Sequence, residues 1–531
     1  MAQKTPVKWT FPVELNEKER SVAKDLRRIG RFYVFLREIR HELFDDDFQA
    51  KLAGAYKPRG TDPKPPALLA MVTLLQAYTQ TGDAEAVVTT KMDKRWQLVL
   101  GCLDCDKAPF SQGVLSQFRD RMIAHDMDQA LLDRTVEIAK RTKGFGWQKL
   151  KAALDSSPLL GAGRVLDTWN LIGQALSTVV TCAAKALKMN REQVIREAGL
   201  TLLSAPSIKA ALDSDWDDPE QREEALARLL GEVDLLEKWV TGHGAVLTED
   251  VPVREALEAL RRVLEQDLDP VPPDGPRRIR QGTARDRMPS LGDPEMRHGR
   301  KSKAKPFTGY KRHFMRFLNP NIITGALALP ANCPEQQALE LLVADTKRHA
   351  QFDELHMDRA YLGSPAVRQL RAAGVKIQCK PWPSRNAGRF TKEDFAIDLS
   401  ARTVTCPEQA TASIAPKSSV ARFPKSVCAA CPQRASCTSA KNTGRTITIH
   451  PLEDLLIELR TKKSTPEGRE ALRERTAIEH SLARVSHIQG PKARYRGARK
   501  NTLDERRTGV VMNLQEIARE RQAPTRERKA A

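Results

Sequence analysis

No stretch of this chain approaches the ~18 unbroken apolar residues that a membrane-crossing helix needs. The best run, Ala67 to Leu75, is bounded by prolines and polar groups, which excludes a helical membrane span. The opening, MAQKTPVKWTF, lacks the apolar core of a secretory signal and predicts a cytoplasmic protein. Internal repeats and low-complexity tracts are missing as well. With 40% hydrophobic and 29% charged residues, the composition is not that of a disordered chain. Cysteines are few, nine in 531 residues, and without a secretory signal they read as thiols or metal ligands rather than disulfides. A chain this long predicts roughly two to four domains.

Positive charge is what the chain has in excess. Lys and Arg number 87 against 67 Asp and Glu, a formal charge of +20. That imbalance points to a polyanionic partner, nucleic acid first. The charge is laid out in blocks. Asp274 to Arg316 holds thirteen basic and four acidic residues, and Arg484 to Arg507 holds eight and two. Ala211 to Pro270 reverses the sign, with seventeen acidic residues and six basic. Each basic block can be a solvated face, but two of them beside an acidic insert, on a chain this basic overall, favour DNA or RNA.

Residues 1–145 read as helical and form a candidate DNA-binding region of helix-turn-helix type, or a plain bundle. Pro65 and Pro66 open an apolar-periodic run through Tyr78. A second run covers Glu85 to Leu100, a third follows Ser111, and a fourth starts at Met127. Trp147 to Leu154 predicts a strand, with a turn at Asp155-Ser156-Ser157-Pro158. Residues 165–280 return to helices as an insertion, and Asp269 to Pro276 (DPVPPDGP) reads as a linker. A hairpin is expected from Phe307 to Leu329, then a helix, a strand ending at Asp358, a helix after Ser364-Pro365 and a strand at Val375 to Cys379. Mixed strands and helices in this order indicate an α/β core, assembled from 146–164, 281–400 and 464–525.

Three acidic residues stand at element ends where carboxylates can converge. Asp155 and Asp358 close predicted strands, and Glu479 is expected in a helix that Thr465, Pro466 and Glu467 start as cap, proline and first-turn acid. Such a set suits one or two Mg²⁺ ions, which prefer hard oxygen ligands, and two ions can support an in-line phosphoryl displacement. By pattern alone a strand-end Asp also serves as a turn or cap residue, and a helical Glu as a surface charge. Arg475, four residues before Glu479, shares its helix face and is either its ion-pair partner or a phosphate ligand.

With these residues the chain resembles bacterial insertion-sequence transposases of the DDE class with an InsH-type N-terminal domain. The resemblance rests on Lys57-Pro58-Arg59-Gly60 with PKPPALLAM, LSQFRDRM (Leu115–Met122) and ALDSSPLLGAG (Ala153–Gly163). It continues through DPEMRHGRKS (Asp293–Ser302), FTGYKRH (Phe307–His313), LHMDRAYLGS (Leu355–Ser364) and RTAIEHSLARV (Arg475–Val485). These pieces keep the family's order over most of the chain. The resemblance implies a ribonuclease-H-like catalytic core and a metal-binding triad at Asp155, Asp358 and Glu479. It also implies Mg²⁺-dependent cleavage at transposon ends, with Mn²⁺ able to substitute, and strand transfer into target DNA. Partners would be double-stranded DNA, as terminal inverted repeats and target, and a second copy of the chain, at the nucleoid. Related families carry a Tyr three residues before the Arg and a Lys seven after the Glu. Here those positions are Leu472 and Ser486, which leaves Lys492 and Arg494 as candidates for the terminal phosphate.

Candidate DNA contacts also include Lys492, Arg494, Arg496, Arg499 and Lys500 around Tyr495, a segment that reads otherwise as a solvated loop. Lys311 and Arg312 in the hairpin are expected to face the same groove. His313, His480 and His487 read as DNA-contact or surface residues. Residues 401–450 hold Cys406, Cys428, Cys431 and Cys437, whose spacing suits a structural Zn²⁺, with reduced thiols or an iron–sulfur role as alternatives. Cys102 and Cys105 have no second pair nearby and read as core thiols. The rival functions are a stand-alone endonuclease without strand transfer and a DNA-binding regulator of transposase descent.

Overall fold

A computed structural model describes residues 7–26, 29–56, 63–270, 275–302 and 304–523. The Lys57–Gly60 motif lies outside them, as do residues 271–274 of the expected linker.

The frame is a mixed sheet of β1 (Lys151–Leu160), β2 (Arg297–Ser302), β3 (Lys305–Phe317), β4 (Ile322–Pro330), β5 (Glu354–Met357) and β6 (Lys376–Gln378). Its order is β2-β3-β1-β5-β6, with β4 also paired to β3. β1 runs antiparallel to β3 and parallel to β5, which is parallel to β6. Ala152, Ala153 and Leu154 are fully buried because β1 is covered on both faces, so it reads as a continuous apolar run. The expected turn at Asp155 to Pro158 is not there. The strand starts at Lys151 rather than Trp147 and runs on to Leu160, pairing with β3 throughout. Pro158 is tolerated because β5 has already ended opposite Leu154, so one side of the strand no longer needs that N–H.

One face of the sheet packs on the N-terminal helices. Phe314, Ile322 and Ile323 share a single core with Leu36, Trp96, Leu132 and Val510. The boundary expected at residue 145 is therefore a connection between the helix Met127–Arg141 and β1, within one packed body. The helix Pro66–Thr79 is buried almost all round, as its apolar sequence requires. The single helix expected from Glu85 to Leu100 is two, Asp83–Met92 and Lys94–Leu100. Asp93 between them is extended and uses its carboxylate to cap the Arg95 N–H. The opposite face of the sheet carries the helices Gln336–Lys347, Pro365–Ala372 and Glu453–Ser464.

Between β1 and β2 the chain makes a helical excursion, from Thr168–Leu187 to Val251–Asp267, around an apolar core of its own. Asp267 ties its ends together, accepting from Thr168 Oγ1 at 2.9 Å and pairing with Arg287 at 2.6 Å.

The helix that bears Glu479, Thr476–Gln489, is docked on β3 by two buried arginines. Arg312 donates to Ser157 Oγ (2.8 Å), Ser486 Oγ (2.6 Å) and Gln489 Oε1 (2.6 Å). Arg316 bonds Ser481 Oγ and reaches the Ala477 carbonyl at 3.4 Å. Thr465, Pro466 and Glu467 start a separate helix, Pro466–Arg473, instead of this one. The join at 474–478 is made by tighter i→i−3 hydrogen bonds that re-aim the chain.

Arg312 is thus an internal clamp, 2% exposed, and does not face a groove. Arg312→Ala is expected to lower Tm markedly, because each buried oxygen left without its charged donor costs about 1–3 kcal/mol. Lys492→Ala, at an exposed position, should stay within about 0.5 kcal/mol of wild type. Thermal denaturation checks both; normal stability with weakened DNA binding in Arg312→Ala would instead make it the contact its sequence position suggested.

Candidate active site

Parallel pairing places two carboxylates side by side. Leu154 on β1 lies opposite Met357 on β5, so the next residues, Asp155 and Asp358, leave the paired region together. Asp358 then turns the chain, its carboxylate accepting the Arg359 N–H at 2.7 Å at the start of a 3₁₀ turn. Glu479 approaches from its own helix. All three line one open cavity of about 510 Å³, together with Arg300, Lys301 and Arg475.

Arg475 stands between two of the carboxylates. It meets Asp155 Oδ2 at 3.0 Å through one nitrogen and bonds the Glu479 carboxylate through the other. The preceding Glu474 is clasped by Lys151 Nζ at 2.8 Å, with the buried His356 3.8 Å away, and this fixes where Arg475 begins. Burial pushes the Asp155 carboxyl up to about 6; Asp358 and Glu479 add to the rise, while the Ser156 N–H and Arg475 oppose it.

Among the described residues no group of three or more His, Cys, Asp or Glu side chains is drawn together tightly enough to hold a metal ion. At the carboxylate cavity a guanidinium bridges Asp155 and Glu479. The donors are nonetheless hard oxygens around one water-accessible space, and their mutual repulsion is felt at Asp155. That chemistry fits a divalent cation.

Cys406, Cys428 and Cys437 pack against a small apolar core of Phe395, Val404, Ile414, Phe423 and Ile447, and Cys431 is half-buried nearby. Five short strands between Ala396 and Thr448 form two small sheets around it. The region thus has an apolar core of its own, with thiols beside it. Burial pushes the Cys437 thiol up, and the nearby Cys428, Cys431 and Cys406 add to this, whereas Arg445 opposes it. Cys102 packs against the large core, and burial there pushes its thiol up to about 12.

The basic segment after the Glu479 helix is largely spent on internal contacts. Arg494 holds the Thr81 carbonyl at 3.1 Å, Arg499 pairs with Asp128 at 2.7 Å, and Lys500 lies 3.5 Å from Asp120. Tyr495 sits between the guanidinia of Arg119 and Arg507, each 5.5 Å from its ring. Tyr495 and Arg499 therefore brace the N-terminal helices, and Lys492 and Arg496 are left exposed. Lys311 lines the cavity but is paired with Glu335 at 2.9 Å. His313 is fully buried, not a surface residue; burial holds it down to about 3, and Nδ1 lies 2.8 Å from the Tyr361 hydroxyl. His480 and His487 are exposed.

Ser486, where related families carry a Lys, faces the same cavity and accepts from Arg312. Sequence reasoning missed Arg300 and Lys301 as site residues. They stand exposed on β2 at the cavity rim, within the basic run that marked this part of the chain.

Two family profiles match the chain. A transposase DDE domain covers residues 402–518, and a transposase domain (DUF772) covers residues 23–121. No match is found among curated proteins or solved structures. The first match contains Glu479 and the helix that bears it, while Asp155 and Asp358 precede it and stand on the geometry above. Among the described residues no helix is long and apolar enough to cross a membrane. With a transposase domain matched towards each end, the two matches indicate an insertion-sequence DDE transposase family.

Proposed function

We propose that this protein cleaves DNA at the ends of its own mobile element and joins the freed 3′-hydroxyl to a target strand. The observation that carries the reading is the convergence of Asp155, Asp358 and Glu479 on one cavity rimmed by Arg300, Lys301 and Arg475. The mixed sheet, with an antiparallel hairpin on one side of β1 and parallel strands on the other, supports a ribonuclease-H-like core.

The three carboxylates would hold Mg²⁺, or Mn²⁺ in its place, which supplies charge neutralisation at the attacking and leaving oxygens of an in-line displacement. Asp155 must shed its proton to serve, and Arg475 favours that state. The Arg475 fork also matches a phosphate, as do the exposed Arg300 and Lys301. Lys492 and Arg496 extend the basic rim for terminal repeats and target DNA, so binding should weaken steeply with salt. Two chains would hold two ends, visible as a paired complex on a native gel.

Asp155→Asn, Asp358→Asn and Glu479→Gln should each lower Mg²⁺-dependent cleavage of a plasmid carrying the flanking DNA, by on the order of 10²–10³-fold or more. End binding should persist. In wild type, cleavage should fall as pH drops through about 6, where Asp155 gains a proton. Cleavage without joining would make the protein an endonuclease, and binding without cleavage a regulator.

The Cys406, Cys428, Cys431 and Cys437 cluster carries a separate expectation of structural zinc. Metal analysis of the purified chain should then find about one zinc per molecule, lost when Cys428 and Cys431 are replaced by Ser. A zinc-free, stable protein would leave these residues as packing thiols.

A further inference from the structure

The carboxylate cavity has a fourth acidic side chain in its wall. Glu335 lines it with Asp155, Asp358 and Glu479, and comes from a different element than any of them. It immediately precedes the helix Gln336–Lys347, yet its carboxylate makes no capping hydrogen bond to that helix. The start of the helix lies against the turn that follows Asp358, where Gly363 leaves the space that the Gln336 side chain fills. Burial pushes the Tyr361 hydroxyl in that turn up; Asp155, Glu335 and Asp358 add to the rise, against a hydrogen bond with Ser156. The three carboxylates thus act on one buried group.

Glu335 has a single ion-pair partner among the described residues. Lys311 reaches it from β3, at the position opposite Pro158 on β1. Its Nζ meets Glu335 Oε1 at 2.9 Å and donates to the Cys333 carbonyl at 3.0 Å. Both side chains are largely withdrawn from water, at 13% and 25% exposure.

This repeats what Arg475 does for Asp155 and Glu479, where a side-chain cation stands among the carboxylates as their counter-charge. The ammonium is the more easily displaced of the two. It is a point charge on a flexible stem, whereas the Arg475 guanidinium is a fork that joins two carboxylates. Once parted from Glu335, Lys311 keeps the Cys333 carbonyl as an acceptor.

From these contacts we infer that Glu335 is a further ligand of the divalent-cation site and that Lys311 masks it. Lys311 gives up the Glu335 carboxylate when a cation enters the cavity, and Glu335 supplies an oxygen in place of a water. Mg²⁺ and Mn²⁺ both accept carboxylate oxygens alongside water. This rests on the cation site proposed at the carboxylate cavity and adds one residue to it.

The test is Mn²⁺ binding to the full chain without DNA, followed by the electron paramagnetic resonance of free Mn²⁺. The variants are Lys311→Met, which keeps the stem and removes the charge, Glu335→Gln, the two combined, and Asp358→Asn as control for the site itself. Lys311→Met should tighten Mn²⁺ on the order of tenfold, the lower end of the roughly 10–100-fold by which neighbouring groups tune metal affinity. In the Glu335→Gln background the same change should give no gain, because no carboxylate is left to unmask. Lys311→Gln serves in the same comparison if Lys311→Met proves unstable. An ammonium that only repels the cation gives equal gains in both backgrounds, and that result overturns the proposal. So does a Lys311→Met protein that binds Mn²⁺ as wild type does, which would leave the pair as a tie between helix and strand. Mn²⁺ binding that needs Asp358 but ignores Lys311 and Glu335 removes only this inference; binding that Asp358→Asn leaves unchanged removes the cation site with it.

Discussion

Two buried arginines on one strand hold the helix that completes the site, and much else follows from them. Arg312 and Arg316 share a face of β3, with Phe314 between them opposite Asp155. They reach up to Ser481, Ser486 and Gln489 on a single face of the Glu479 helix. Burial is costly for both, pushing Arg316 down to about 10 and Arg312 in the same direction. Apolar residues would dock a helix with less desolvation but would tolerate sliding. Hydrogen bonds at fixed positions set its register, and register decides whether Glu479 points at Asp155. Gly490, at φ +82°, then ends the helix with a conformation that suits glycine.

The same economy explains where the basic charge goes. A run such as Lys492 to Lys500 looks like a surface for DNA, yet several of its side chains tie the core to the N-terminal helices. The final helix, Ala498–Gln522, extends this internal polar chemistry. It is buried along most of its length although its sequence is strongly polar. Asn513 bridges Thr135 and the Ile323 backbone, and Arg507 joins Asp504 to the Tyr495 hydroxyl. Glu505 lies fully buried there, and burial pushes it up to about 8, so it is largely neutral at pH 7. The charge available to a partner lies instead at the cavity rim, on Arg300 and Lys301.

Elements with strong local signals were legible in the sequence. Ser111 caps the helix that follows it, and the Phe307–Leu329 hairpin forms nearly as expected. The carboxylates were legible as candidates because chain position and residue type coincide there. What failed depended on distant partners. Asp155 reads locally as a turn residue, but β3 continues past it and keeps the strand extended. Thr465 is a sound cap, yet the helix it starts ends at Arg473, where Lys151 captures Glu474 from another strand. The small core of the cysteine region has no local signal either. Its few aromatic and branched residues are scattered over more than fifty positions and meet only once the short strands pair.

The central claim is that three segments far apart in sequence form one cation site. Iron-mediated cleavage of the polypeptide tests it without DNA: Fe²⁺ bound where Mg²⁺ would bind, with ascorbate and peroxide, generates radicals that cut nearby backbone. The account predicts cuts clustered near Asp155, Asp358 and Glu479, all suppressed together by excess Mg²⁺. Cuts near only one of the three, or confined to the acidic helical excursion between β1 and β2, would contradict it.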